Sequence, residues 1–220
     1  QQNIRQCAEK SGRDVNDIHL IAVSKTRSLD EVKAVASLGQ KHFGENTIQD
    51  AMTKIPHLGQ DVEWHFIGHL QSKKTGKIPG YFQWIHSVDS IKLAEKLSSA
   101  MMNHSKNAVL NCLIQVNVSG EATKSGLMPD QVNHFLQQLL TLELPCLRWR
   151  GLMTIGVNGD EQQTRNAFAA LRVLQETCKA ESGLQDFDQL SMGMSGDYCM
   201  AIEERATLVR VGTSIFGQRE

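Results

Sequence analysis

The stretch "LIAVSKTRSLDEV" (20–32) decides how the chain is read. Its apolar residues 20–23 form a short buried-strand pattern that stops at Ser24 and Lys25, and a helical pattern begins at Leu29. A strand followed at once by a helix is half of a βα unit. The alternation recurs down the chain. Strands are predicted over 18–25, 41–46, 63–68, 84–89, 109–118, 147–155, 189–194 and 208–216. Helical patterns cover 29–38, 91–102, 129–140 and 160–178, the last opening at Asp160 as N-cap after the turn "VNGD". Eight strands with intervening helices in 220 residues predict a (β/α)8 TIM barrel with trimmed loops, a single α/β domain over 1–220. The alternative is an open doubly wound sheet, but no GxGxxG turn follows the first strand and no linker divides the chain.

Composition narrows the partners. With 23 basic against 24 acidic side chains the net charge is −1, so no overall field favours nucleic acid or an anionic membrane surface. The longest apolar run, 109–118, is too short to span a bilayer and is broken by Asn111, Gln115 and Asn117. The opening "QQNIRQCAEKSGRD" holds no apolar signal core, which points to a cytoplasmic protein with a small-molecule ligand. The chain opens without methionine inside a helical pattern (Ile4, Cys7, Ala8), so further residues are expected upstream. Five cysteines, Cys7, Cys112, Cys146, Cys178 and Cys199, form no CxxC or Cys/His cluster. Neither a structural metal nor a disulfide framework is expected.

In a barrel the chemistry gathers at the C-terminal ends of the strands. The strand ends here offer Ser24 and Lys25, then Glu45 and Asn46, His69 and Gln71, Ser87 and Asp89, and Met153 in "GLMTIG". The last two strands end in Ser195-Gly196 and Gly212-Thr213. Loops after the last two strands of a barrel often hold phosphate, with glycine admitting the anion close to the backbone and hydroxyls adding donors. A partly desolvated lysine such as Lys25 has a lowered pKa and can form a Schiff base with a carbonyl. Both pyridoxal 5′-phosphate and a sugar phosphate would suit such a pocket. Arg210 precedes Gly212 by two residues and shares its face of the strand, while Val209 and Val211 point the other way. Its guanidinium could donate to a pyridine nitrogen and leave that nitrogen unprotonated, or pair with a carboxylate such as Glu45.

Seven motifs carry a resemblance: "LIAVSKT", "FGEN", "WHFIGHLQS", "QVNVSGEATKSG", "RGLMTIG", "LSMGMSGD" and "LVRVGTSIFG". Together, from Ile18 to Gly217, they resemble the pyridoxal phosphate homeostasis protein family, also called proline synthetase co-transcribed homologues. The resemblance implies a barrel similar to the N-terminal domain of alanine racemase. It implies pyridoxal 5′-phosphate held as an internal aldimine on Lys25, phosphate held by Ser195, Gly212 and Thr213, Arg210 facing the pyridine nitrogen, and Asn46 lining the cofactor; Gly196 and Met153, at the same mouth, complete the expected cofactor-binding set. Two positions depart from the pattern: Thr47 stands where many members have tyrosine, and Lys73 where many have asparagine.

A racemase needs a second acid/base opposite its lysine. Only Tyr81 and Tyr198 are available as tyrosines, neither clearly placed for it, and His69 is the other option. The expected role is therefore that of a non-catalytic protein of vitamin B6 homeostasis, turning over no substrate but buffering the cofactor or delivering it to pyridoxal-phosphate-dependent apoenzymes, and working as a monomer. A slow amino-acid racemase is the alternative, and a Schiff-base aldolase a weaker third. Lys124 is the next lysine should Lys25 not carry the aldehyde, and Lys73, Lys74 and Lys77 read as a solvated helix start.

Overall fold

Eight parallel strands pair in chain order and close into a barrel, β8 bonding back to β1. They are β1 His19–Val23, β2 His42–Glu45, β3 Glu63–Phe66, β4 Trp84–Val88, β5 Leu110–Gln115, β6 Leu147–Met153, β7 Gln189–Ser191 and β8 Leu208–Val211. The computed structural model describes residues 1–121, 123–157 and 160–218. Asn158 and Gly159 of the predicted "VNGD" turn, and Ala122 of "QVNVSGEATKSG", lie outside the described residues.

Alternation along each strand sorts the side chains into two cores. Ile21, Trp84, Leu113, Met153 and Leu208 meet inside the barrel. Their neighbours, such as Ala22, Phe43, Ile85, Cys112 and Val209, face outward into the layer shared with the helices. Arg210 is two residues beyond Leu208 on the same strand, and so on the inward face.

The helices are α1 Gln2–Lys10, α2 Leu29–Ser37, α3 Ile48–Met52, α4 Ile91–His104, α5 Pro129–Thr141, α6 Glu161–Ser182, α7 Tyr198–Glu203 and α8 Thr213–Phe216. Where a cap is written into the sequence, the predicted start holds. Ser28 and Glu31 form a capping box at α2, and the Asp160 carboxylate accepts the Gln163 N–H at α6. Helix α6 outruns its predicted end because nothing stops it before Gly183, which takes the left-handed conformation at φ 71°. The strand predicted over 208–216 is two elements: β8 ends at Val211, and the Gly212 carbonyl accepts the N–H groups of Ile215 and Phe216 to start α8. The strand predicted over 189–194 likewise stops at Ser191, and Gly193 follows in the left-handed region at φ 90°.

The cysteine reading is corrected for one pair. Helix α1 packs on α7, and this brings Cys7 and Cys199, 192 positions apart in sequence, into a disulfide. Cys112, Cys146 and Cys178 remain free and buried. Among the described residues no helix is long and apolar enough to cross a membrane.

Candidate functional site

A cavity of about 300 Å³ opens at the C-terminal ends of the strands, and the eight residues expected to hold the cofactor line it, Lys25, Asn46, Met153, Ser195, Gly196, Arg210, Gly212 and Thr213, whereas the other strand-end residues Ser24, Glu45, Gln71, Ser87 and Asp89 do not. Val23, Ile67, Ile155 and Met194 complete its wall. A larger recess of about 880 Å³ lies beside α4 and the loop at 142–145. Its charged lining is Glu95 and Glu143, which ill suits an anionic ligand.

Lys25 is held by the turn it belongs to. Beyond β1, Thr26 adopts the left-handed conformation at φ 64°, unusual for a β-branched residue, and its N–H donates to Asp50 Oδ2 at 2.7 Å. Ser24 Oγ donates to Glu45 Oε1 at 2.6 Å. The Lys54 ammonium fills the space behind, 2.8 Å from Glu45 Oε1, 2.8 Å from Asp50 Oδ1, and donating to the Ser24 carbonyl at 2.7 Å. Neither Lys54 nor Glu45 is open to solvent. Burial pushes the Glu45 carboxyl up to about 7, against the pull of hydrogen bonds from Lys54 and Ser24. Nothing in the sequence marks Lys54 as buried.

Arg210 is the second fixed charge. Its Nη1 donates to Ser191 Oγ at 2.6 Å and its Nη2 to the Thr154 carbonyl at 2.8 Å. The suggested partnership with Glu45 is therefore corrected, because Glu45 is taken by Lys54 and Ser24. Burial lowers the guanidinium to about 10, with Asp197 acting the other way, so it stays protonated at neutral pH. Behind it a chain of side chains runs down the barrel axis. Ser191 Oγ lies 2.8 Å from His86 Nδ1, His86 Nε2 lies 3.0 Å from His65 Nδ1, and His65 Nε2 lies 3.1 Å from His42 Nδ1. Burial holds both His65 and His86 well below the usual histidine range, reinforced at His86 by Arg210 and at His65 by His86, so both are neutral.

Two glycine-hydroxyl loops face these groups. In the first, Met194 N–H donates to Asp197 Oδ1 at 2.5 Å and the Met194 carbonyl accepts the N–H of Asp197 and Tyr198, which folds Ser195 and Gly196 into a tight turn. In the second, a Cβ added at Gly212 would come within 3.3 Å of the Val23 carbonyl, so glycine lets this loop lie against β1. Lys124 is committed elsewhere, to Glu121 Oε1 at 2.6 Å and the Gly156 carbonyl at 3.0 Å. His69, Tyr81 and Tyr198 do not line the cavity.

Comparison with known proteins fixes the family. The chain matches the alanine racemase, N-terminal domain family over residues 1–220. It is 43% identical over 219 residues to the pyridoxal phosphate homeostasis protein of Pseudomonas aeruginosa, covering 99% of this chain and 91% of that one. It is 40% identical over 223 residues to the protein of the same name from Vibrio alginolyticus, covering 99% and 93%. The chain belongs to the pyridoxal phosphate homeostasis protein family. A solved structure of PipY from Synechococcus elongatus, with PLP bound, superposes with a TM-score of 0.83 at 33% identity, covering 97% of this chain and 99% of that one. Within this homeostasis family Thr47 departs from the expected aromatic, and in this fold it acts locally. Its side chain accepts the Asp50 N–H and caps α3, the helix that carries Asp50 to Thr26 and Lys54. Lys73, the other departure, lies exposed on the 3-10 helix Ser72–Lys77.

Proposed function

We propose that this chain binds pyridoxal 5′-phosphate at the mouth of its barrel and serves vitamin B6 homeostasis in the cytoplasm. In this reading it holds the cofactor as a Schiff base on Lys25, without turnover of its own, and delivers it to pyridoxal-phosphate-dependent apoenzymes as a monomer. The observation that carries the reading is the convergence on one cavity of a lysine, a buried guanidinium and two glycine-hydroxyl loops. The donor set fits an anionic ring aldehyde: an amine for the aldehyde, hydroxyls and loop N–H groups for the phosphate, and a fixed cation for the ring nitrogen. The volume, about 300 Å³, matches the lower end of small-ligand pockets.

When bound, the cofactor supplies an electrophilic carbon and an electron-withdrawing ring. The chain's own residues limit how far that chemistry proceeds. Arg210 keeps its proton and presents a donor, so the ring nitrogen is left without one and the ring is a weak electron sink. The Glu45, Lys54 and Asp50 network fixes the turn around Lys25. Among the described residues no tyrosine or histidine lines the cavity to act as a second base.

Borohydride reduction of the cofactor-loaded protein, followed by peptide mass analysis, tests the reading. The expected result is a single reduced adduct on Lys25. An adduct on Lys124, or none, overturns it. Rapid turnover of any member of a panel of D- and L-amino acids would overturn the carrier role in favour of a racemase.

A further inference from the structure

We propose that His42, Glu63 and His65 form a binding site for a divalent transition metal, with zinc the best match, at the N-terminal end of the barrel opposite the cofactor cavity. The three side chains point into the barrel from adjacent strands, His42 of β2 standing in register with Glu63 of β3 and Gly44 with His65. Their ligand atoms all lie within 4.8 Å of one another. His42 Nδ1 is 3.1 Å from His65 Nε2 and 3.6 Å from Glu63 Oε2. Ligands placed at zinc's bond lengths in a tetrahedron stand about 3.3 Å apart, so small side-chain shifts bring the set onto one ion. Two imidazoles, borderline donors, with a single carboxylate suit zinc rather than magnesium or calcium, which take oxygen ligands throughout.

The surroundings of the three ligands support the assignment. A ligating histidine ordinarily donates its other N–H to a fixed acceptor, and His65 Nδ1 lies 3.0 Å from His86 Nε2. His86 Nδ1 lies in turn 2.8 Å from Ser191 Oγ. With the lone pair of His65 Nε2 on the metal, His65 Nδ1–H donates to His86 Nε2 and His86 Nδ1–H to Ser191 Oγ, which also accepts from Arg210 Nη1. Glu63 Oε2 accepts the Trp84 Nε1–H at 3.0 Å, which orients the carboxylate. An entry path exists too. A second cavity of about 300 Å³, lined by His19, Gln40, Lys41 and His42 among others, opens on this end of the barrel, with room for a water in the fourth position. The sequence hides the set, because two ligands come from β3 and one from β2, with no Cys/His spacing to mark them.

The test is calorimetric titration of the chelator-stripped 220-residue chain with Zn²⁺. One ion per chain is expected, with affinity reduced at least tenfold in His42→Ala and in Glu63→Gln. Both positions are partly open to solvent, so the fold should survive, and unchanged borohydride trapping of the cofactor on Lys25 verifies that it does. Co²⁺ added to the wild type gives a check that needs no variant: a four-coordinate site produces strong visible bands, which Zn²⁺ then abolishes. No zinc binding by the wild type, an affinity unchanged in either folded variant, or only the weak spectrum of hydrated Co²⁺ overturns the proposal.

Discussion

Glu45 keeps its proton to a pH of about 7 because it is buried between Ser24 and Lys54, whereas in the unfolded chain it ionises near 4.5. Between those values only the folded chain holds the proton, so the contribution of Glu45 to stability is full below about 4.5 and is lost as the pH rises through 7. Gln can accept the same two hydrogen bonds through its carbonyl. Glu45→Gln should therefore remove this falling component, so that the variant gains on the wild type between pH 5 and pH 8 in urea unfolding. His65 and His86 contribute the opposite slope, losing stability as the pH falls below 6.5, but they do so in both proteins and drop out of the difference. A second prediction concerns the phosphate loops. Ser195→Ala with Thr213→Ala should weaken pyridoxal phosphate by at least about a hundredfold and pyridoxal by little, since each charge-assisted hydrogen bond is worth about 1.5 to 3 kcal/mol. Equal weakening of both ligands by equilibrium dialysis would remove the two hydroxyls from the phosphate. Lys25, Asn46, Ser195, Arg210 and Thr213 were legible because each sits at a strand end, where barrel geometry alone directs attention. Lys54 was not: it lies in the mixed stretch "DAMTKIPHL" (50–58), and its buried partner Ser24 is 30 positions away. His65 and His86 escaped for a similar reason, being 21 positions apart on neighbouring strands.

Elements were legible where a cap or breaker stands in the sequence. The Asp160 cap is such a signal, and α6 starts where it places it; α2 starts at Leu29, where its helical pattern begins. Helices α3, α7 and α8 have four to six residues, too few for a 3.6-residue period to show, and the predicted pattern omits them. What the alternation pattern could not reveal is how closely the strand ends approach one another. A Cβ added at Gly68 would lie 2.0 Å from the Asn46 carbonyl oxygen, so only glycine lets the segment after β3 pass the end of β2, where Asn46 faces the cavity. Gly68→Ala should cost roughly 3 kcal/mol in urea unfolding, because backbone rather than a flexible side chain has to yield. Gly59→Ala, with nothing within 4 Å of the added atom, is the matching control and should change stability by no more than about 0.5 kcal/mol. If the two variants unfold alike, the contact at Asn46 does not constrain the barrel.

For the whole molecule, closure was legible from the count and rhythm of strands, since eight βα units have few other ways to hide both faces of a parallel sheet. The Cys7–Cys199 bond was not, because sequence spacing carries no information about a contact 192 positions long. In the chain-entropy account, a cross-link of this span stabilises by roughly 5 kcal/mol by restricting the unfolded ensemble. Thermal unfolding should accordingly shift downward on adding a reductant, and Cys7→Ser should reproduce the shift without one. A melting curve indifferent to both would mean that the bond contributes nothing. In a reducing cytoplasm the two thiols would stand open. The bond also bears on assembly. Helix α1 leads into β1 and helix α7 into β8, the two strands whose pairing closes the barrel and the natural place for it to open and exchange an end with a second copy. Oxidation ties α1 to the α7 of its own chain, so the first helix cannot be lent to a neighbour and domain-swapped dimers become inaccessible by that route. The reduced protein carries no such restraint, and concentrated samples prepared with and without reductant should differ in swapped dimer on that account.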